Sequence, residues 1–486
     1  MVSVFLREQR RYSQEELKME FKCSEENTVK ILKRLKEYGV LKAVKISDIQ
    51  KQLTDLVDEE VEIADVELGE NEYFYVFTFV GVIIAEGRVL KCYPKYLKNS
   101  HSPRKELKQV LQVLTKYNSK EQIIRMYNES SDSSAFNMLA VMLFLLHDYY
   151  ENGAYTNSQD IIEVNGSGDI LWDKTINETF TLLSNNRPYY PELLTTKRIN
   201  DDFDYFKRLH ECILSRCSKE LASADLLELF DIMGVDVSDE SLDDFGENEY
   251  ILERINRELN VQFNTRKQLL LKTLYAYVAH SNSLENIDCF SMFGTNSFNL
   301  VWEDVCKEVL DNQLNKPLGA LKLPIPLAIE YRAKKHKLLI DLIEKPTWYS
   351  VSDIELGQGK TLIPDLVSIV QSEDSYKFII FDAKYYTATL ENGKPISGYP
   401  GIESVTKQYL YQLAYKQFVA DHQIKHIHNC FLMPTEEESI LDKGYVSLSM
   451  LDNLGLEKIK IRFLPATQMY SHYLMNKKID VELLDL

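Results

Sequence analysis

The sequence predicts a multidomain α+β protein, and three observations carry that class. The chain has 486 residues, where one domain usually takes roughly 100–200. Its middle repeats apolar residues at helical spacing, whereas its last part alternates apolar strands with helices. Composition is globular, 45% hydrophobic and 27% charged, which excludes a largely disordered chain. Pattern changes divide it into 1–46, a helix-turn-helix or winged-helix-like unit; 47–104, a small β unit with an acidic linker; 105–293, a mostly helical middle region; and 294–486, a mixed domain of strands and helices.

The first 44 residues read as helical and basic. Leu17, Phe21, Val29, Leu32, Leu35 and Leu41 recur at helical spacing. Ser13 with Glu16 fits a capping box, and Ser24 caps a helix over Glu25–Tyr38 that stops at Gly39. That helix carries Lys30, Lys33, Arg34 and Lys36, candidate phosphate contacts if it enters a DNA groove; the alternative is a solvated basic face. An acidic run, Asp55–Glu72, follows. Tyr73–Tyr96 then reads as strands with a hairpin turn at Glu86-Gly87. Helices are expected at Leu111–Tyr117, Met138–Tyr150, Phe203–Leu221 and Arg266–Ala279, around an irregular segment, Gly166–Thr196. The last domain begins with the helix FNLVWEDVCKEVL. A Pro-rich link (Leu323–Leu327), strands TLIPDLVSIV and YKFIIFDAKYY, a helix with KQYLYQLAYKQFVA and a strand HIHNCFLMP follow.

Charge and cysteine set limits. With 56 Lys+Arg against 74 Asp+Glu, the net charge is −18, which argues against a surface coated for phosphate. The acidic excess is concentrated in Asp55–Glu72 and Asp225–Glu249, so a basic groove has to be local, from the N-terminal unit and Arg332–Lys337. The apolar runs Phe74–Ala85 and Met138–Leu146 fall short of the ~20 residues that span a bilayer, and no secretory signal is read at the start. Seven scattered cysteines without zinc-finger spacing point to a reduced, cytoplasmic protein.

The strongest chemical signal lies on two strands. Pro364-Asp365 opens one, and Asp382-Ala383-Lys384 ends the next. Side chains at i and i+2 of a strand share a face, so Asp382 and Lys384 project together, and the hairpin brings Asp365 alongside. Two carboxylates can hold Mg²⁺, with Mn²⁺ as a substitute and the Ala383 carbonyl as a further ligand. The metal would polarise a phosphodiester and activate water, and Lys384 would stabilise developing charge. A bare acidic-x-Lys pattern carries little weight, since Glu16-Leu17-Lys18 matches it too. The context of strand, apolar run and following helix is what distinguishes this one.

This order, with PD followed by DAK, resembles the PD-(D/E)XK nuclease superfamily. Phe298-Asn-Leu-Val-Trp-Glu303 and Tyr411-Gln412-Leu-Ala-Tyr415 are similar to helices of its McrC-like and LlaJI-like restriction nucleases. FVGVI, Tyr93–Leu97 (YPKYL) and Gly168–Asn177 resemble the upstream region of LlaJI-type enzymes. The resemblance implies a restriction-endonuclease-like mixed sheet flanked by helices and Mg²⁺-dependent cleavage of double-stranded DNA in a restriction or phage-defence system. It makes Asp365 and Asp382 metal ligands, Lys384 the catalytic lysine, Glu303 an auxiliary acid, and Gln412 and Tyr415 supporting or DNA-contacting residues. It also implies a separate AAA+ GTPase subunit and a cognate DNA methyltransferase as partners. A scaffold subunit that binds DNA or a partner and regulates such a motor is the competing expectation. Two further patterns are set aside. Gly357-Gln-Gly-Lys360-Thr361 ends like a P-loop but leads into a strand, and His422, His426 and His428 read as a surface cluster rather than a metal site.

Overall fold

The computed structural model describes residues 1–45, 73–118, 137–200, 204–280, 290–353, 355–372, 375–391, 393 and 395–486. The acidic run Asp55–Glu72 lies outside them. Contacts group the chain into two compact units, Val2–Ser134 with Met292–Leu486, and Ala135–Ser291. The expected segments 1–46, 47–104 and 294–486 thus fall in one unit.

In that unit the N-terminal segment is not all helix. Val2–Arg7 is strand β1, because Val4 and Leu6 are buried while Ser3 faces out, a period of two rather than 3.6. After β2 (Arg11–Tyr12) come helices α1 (Gln14–Phe21) and α2 (Glu25–Glu37). The Ser13 hydroxyl accepts from the Glu16 N–H at 3.1 Å, while the Glu16 carboxylate takes Arg10 instead of closing a capping box. Ser24 caps α2 through the Asn27 N–H, and Gly39 follows at φ +68°. Strands β3 (Leu41–Lys45) and β4 (Tyr73–Phe77) join β2 in an antiparallel sheet of order β2-β4-β3.

β5 (Val80–Ala85) and β6 (Arg88–Tyr93) form the expected hairpin. Glu86 and Gly87 both have positive φ, 50° and 70°, as a two-residue turn of this hand requires. β1 runs parallel to β6, Val2 opposite Arg88. Helix α3 is Arg104–Asn118. The sheet is completed as β1-β6-β5-β7 by β7 (Phe290–Thr295). A Cβ on Gly81 would lie 2.1 Å from the Phe293 carbonyl oxygen, and one on Gly294 2.2 Å from that of Val80, so this strand contact needs glycine on both sides.

The C-terminal sheet carries the candidate chemistry. Helix α4 (Phe298–Val309) buries Val301, Trp302, Val305 and Cys306. Strands β8 (Leu366–Ser372) and β9 (Ser375–Ala383) are antiparallel. Helix α5 (Ile402–Asp421) leads to β10 (His426–Thr435), parallel to β9. β11 (Leu441–Val446) and β12 (Ile459–Pro465), not foreseen in the sequence, complete a mixed sheet of order β8-β9-β10-β12-β11, and helix α6 (Ala466–Leu474) follows. Val367, Ile369, Phe378 and Ile380 pack against Tyr411, Tyr415 and Phe418 of α5. A second cluster sets Val405 and Tyr409 against Phe431, Met433 and Ile461.

The unit Ala135–Ser291 holds helices Met138–Asn152, Tyr205–Ser223, Asn248–Val261 and Thr265–Ala279. Arg266 reaches Asp148 through two nitrogens, at 3.0 and 2.7 Å, a geometry suited to a half-buried pair. The middle is less helical than expected. Ser158–Val164, Asp169–Ile170 and Leu194–Asn200 make an antiparallel sheet beside a short helix, Trp172–Glu178. Among the described residues no helix is long and apolar enough to cross a membrane.

Candidate active site

The register of β8 and β9 builds the site. Leu366 pairs with Phe381, so one step back Asp365 stands opposite Asp382, on the same face of the hairpin. Alternation also places Asp382 on the face of Phe378 and Ile380, beneath α5. Asp382 is 6% exposed. The Lys384 ammonium lies 3.2 Å from Asp382 Oδ2. The Ala383 N–H donates to Asp365 Oδ2 at 2.8 Å, and the Lys384 N–H donates to the Leu432 carbonyl at 2.8 Å. The three residues singled out in the sequence are therefore brought together and held by backbone bonds.

Electrostatics at this point are unfavourable in the absence of a cation. The Asp365 carboxyl is pushed well above the ordinary carboxylate range, first by burial, then by its hydrogen bond to and repulsion from Asp382 and by the charge of Glu303; Lys384 opposes the shift. Glu303, on α4, is ion-paired with Lys307, so it is near enough to act on Asp365 without being its hydrogen-bond partner.

Asp365, Ala383, Lys384 and Glu303 line a cavity of about 460 Å³, whose lining does not include Asp382. The rest of the lining was not foreseen. It includes Glu8 and Gln9 from the corner after β1, Lys95 after β6, and Tyr385, the residue next to Lys384. Glu8 Oε2 accepts from the Tyr385 hydroxyl at 2.5 Å and from the Lys95 N–H at 3.2 Å. Burial raises the Glu8 carboxyl above its usual range, and Lys95 pulls it the other way. The sequence separations, 87 and 377 residues, leave no local pattern to read. What the sequence does show here is the stretch YPKYL, Tyr93–Leu97, which contains Lys95.

Helix α5 divides differently from expectation. Tyr411, rather than Tyr415, approaches the acids. Its hydroxyl donates to the Ile363 carbonyl at 3.0 Å, and its pKa is raised by burial and then by Asp382 and Asp365. Tyr415 is fully buried in the core, its hydroxyl toward the Leu339 carbonyl at 3.4 Å. The Gln412 amide oxygen accepts from Asn429 of β10 at 2.9 Å. Neither lines the cavity. One turn earlier, Gln408 is fully buried with no partner for either amide atom.

The other candidates separate as well. Lys30 and Arg34 of α2 turn to Glu86 at the β5–β6 turn, at 3.3 and 3.0 Å, while Lys33 is exposed and Lys36 half-buried. The histidine reading needs correcting at His422. That ring is buried, with Nδ1 2.7 Å from the Phe418 carbonyl and Nε2 accepting from the Ala328 N–H at 3.2 Å. His426 and His428 stack alone, with rings 6.0 Å apart. The P-loop-like Gly357–Thr361 begins on the short strand Glu355–Gln358, paired with Thr347–Tyr349. The six described cysteines are free, five of them buried.

Comparison with known proteins matches residues 79–466 to the LlaJI restriction endonuclease family. The chain is 28% identical over 414 residues to the type II restriction enzyme BsuMI component YdjA of Bacillus subtilis (strain 168), covering 84% of this chain and 82% of that protein. Among solved structures, a chain from the assembly of Thermococcus gammatolerans McrB AAA+ hexamers with bound McrC aligns over 98% of this chain and 99% of its own. Its identity is 12% and its TM-score 0.35. A match of that extent to the family, spanning both the β5–β6 hairpin and the C-terminal sheet, shows that the chain belongs to the LlaJI restriction endonucleases.

Proposed function

We propose that this chain is the metal-dependent DNA-cleaving component of a restriction or phage-defence system, with Asp365, Asp382 and Lys384 as its cleavage centre. The observation that carries this reading is the pairing of Asp365, which lines a cavity, with the buried Asp382, and the Lys384 ammonium 3.2 Å from Asp382. The donor set fits a hard divalent cation. Burial first, and then the neighbouring Asp382, raise the Asp365 carboxyl, and a positive charge shared by the two acids would relieve both effects. Among the described residues no group of three or more His, Cys, Asp or Glu side chains is placed to hold a metal. Carboxylate donors suit Mg²⁺, or Mn²⁺ in its place, which would complete its shell with a carbonyl such as that of Ala383 and with water.

When bound, the cation supplies neutralisation of the phosphodiester and a water of lowered pKa. The protein's own groups do the rest. The Ala383 N–H fixes the Asp365 carboxylate. Lys384, its backbone anchored on Leu432, presents the ammonium to the charge that grows on the phosphoryl oxygens. Glu303 adds negative charge beside Asp365 and sharpens selection for a cation. Tyr411 packs the acids from above and pins the chain entering Asp365 through Ile363.

A cognate DNA methyltransferase and a separate AAA+ GTPase subunit belong to the same proposal. What supports partners is that the Bacillus relative is named as a component of its enzyme. The P-loop-like Gly357–Thr361 begins within a strand of a two-stranded ribbon, and no helix comes directly after it. The N-terminal unit, with the strand order β2-β4-β3 next to two helices, supports a winged-helix-like role in which Lys33 and Lys36 meet DNA, while Lys30 and Arg34 hold the hairpin. A plasmid assay with Mg²⁺ compares wild type, Asp382→Ala and Lys384→Ala, alone and with partner and nucleotide. Loss of cleavage in both variants is expected. Equal cleavage by all three removes the assigned site. No cleavage by wild type under any condition returns the chain to a scaffold role.

A further inference from the structure

We propose that Glu8 is a positioning residue for Lys384, which it holds in place through the Tyr385 hydroxyl, so that the corner after β1 completes the cleavage centre; this rests on the role assigned to Lys384 above. Glu8 is 4% exposed, and a carboxyl buried to that degree is costly unless donors meet it. Two do. Its Oε2 accepts from the Tyr385 hydroxyl at 2.5 Å and from the Lys95 N–H at 3.2 Å, and the charge of Lys95 attracts it as well. The Lys95 N–H also lies 3.3 Å from the Tyr385 oxygen. The hydroxyl therefore donates to Glu8 and faces a donor on its other side, which fixes where it sits.

Lys384 stands where the sheet lets go of the chain. Strand β9 ends at Ala383, and residues 384–388 belong to neither helix nor strand. On its near side Lys384 is held by its N–H on the Leu432 carbonyl at 2.8 Å, an oxygen that also accepts from the Trp302 indole at 3.2 Å. On its far side the hold comes from the next side chain. The Tyr385 ring is buried, 5.2 Å from that of Phe298 and 6.4 Å from that of Tyr96, and its hydroxyl ends on Glu8. That end is rigid. The Glu8 N–H donates to the Tyr93 carbonyl at 2.9 Å and the Gln9 N–H to the Phe77 carbonyl at 2.8 Å. The segment after β6 is tied to the C-terminal sheet too, because the Lys98 and Asn99 N–H groups donate to Glu436 at 3.0 and 3.1 Å and the Tyr96 hydroxyl to that of Tyr470 at 3.2 Å. All these residues belong to one compact unit, and Glu8, Lys384 and Tyr385 line one cavity. A lysine aimed at a growing charge works only while its backbone stays in register, so the effect of Glu8 on cleavage runs through Lys384.

The test uses the full-length chain, with plasmid cleavage in Mg²⁺ and duplex affinity in Ca²⁺. Glu8→Ala and Tyr385→Phe should each lower kcat about tenfold, while KM and duplex affinity stay within about twofold of wild type. The double variant should be no slower than the slower single one, because both remove the same hydrogen bond. Glu8→Gln, whose amide oxygen can accept from the same two donors, should restore most of kcat. In a Lys384→Ala background, Glu8→Ala should cause no further loss. Melting temperature is followed throughout, and if Glu8→Ala is unstable, Tyr385→Phe, which removes a single oxygen atom, is read in its place. Wild-type kcat in Glu8→Ala and Tyr385→Phe, with Lys384→Ala slow, overturns the positioning role and leaves the cleavage centre standing. A raised KM at unchanged kcat, or a full further loss in the Lys384→Ala background, also overturns it, since Glu8 would then act without the lysine. Failure of the cleavage assignment is a different result: wild type and Lys384→Ala would behave alike in Mg²⁺, and the positioning role would fall with it.

Discussion

The facing carboxylates make a prediction about stability that needs no substrate. Asp365 and Asp382 are within hydrogen-bond reach of each other, with Asp365 raised by burial, by Asp382 and by Glu303. Burial disfavours the charged form of Asp365 most, and the adjacent Asp382 and Glu303 charges add to it, so a raised Asp365 is what this environment requires. The sign follows. Above the ordinary carboxylate range, near pH 4, the unfolded chain has lost this proton while the folded chain retains it. Stability therefore falls as pH rises from there through the raised folded-state pKa of Asp365. A divalent cation should take over the proton's role. Thermal unfolding in a chelator, from pH 5 to pH 8, should show this decline, and Mg²⁺ should raise the melting temperature most at the upper end. Asp365→Asn should flatten the decline, stabilise the metal-free protein by a few kcal/mol and abolish the response to Mg²⁺. A wild-type profile in chelator that coincides with that of Asp365→Asn, with an unchanged response to Mg²⁺, would refute the pairing of the two acids.

Other outcomes follow from single contacts. Lys384→Ala should reduce kcat on the order of 10²–10³-fold, the usual effect of removing a donor aimed at transition-state charge, with DNA affinity in Ca²⁺ little changed. Arg34→Ala should cost about 3 kcal/mol in denaturant unfolding, since Glu86, 7% exposed, loses its closest cationic partner; Lys33→Ala should cost under ~0.5 kcal/mol and show only in the salt dependence of DNA binding. Gln408→Leu should raise stability by about 1–3 kcal/mol, because neither buried amide atom has a partner to lose; a loss of stability would mean that the amide holds water or substrate.

What the sequence made legible was local. A strand, a short turn and a second strand ending in Asp382-Ala383-Lys384 fix their own register once the apolar residues choose a face, so the meeting of Asp365, Asp382 and Lys384 could be read from alternation. The caps at Ser13 and Ser24 and the turn at Glu86-Gly87 are equally short-range. β1 was missed because six residues with two inward positions, Val4 and Leu6, give a weak signal beside a basic helical pair, and its partner β6 lies more than eighty residues away. Tyr411 and Tyr415 show the limit of motif reading on a helix. They are one turn apart, yet one approaches the acids and the other fills the core, a distinction set by where along α5 the strand ends lie. His422 looked like a surface residue because its spacing to His426 was visible, while its carbonyl and N–H partners at Phe418 and Ala328 were not.

The charge of −18 raises a physical question that the structure reframes. A protein this acidic repels DNA at long range, so a cleavage centre has to gain its attraction over short distances. The α2 lysines and arginine contribute less than their number suggests, because Lys30 and Arg34 are committed to Glu86. The cavity works by a different principle. It sets two carboxylates where a cation can reverse their sign, and is lined by Lys384, whose backbone is held on Leu432. Such a site is repulsive to phosphate without metal and attractive with it. Metal binding and DNA binding should therefore be coupled: Mg²⁺ or Ca²⁺ should tighten duplex binding to wild type far more than to a double variant, Asp365→Asn with Asp382→Asn, in which the repulsion is already gone. Titrating DNA affinity against Ca²⁺ in the two proteins measures that coupling, and equal enhancement in both would show that the acids do not govern entry of the phosphate.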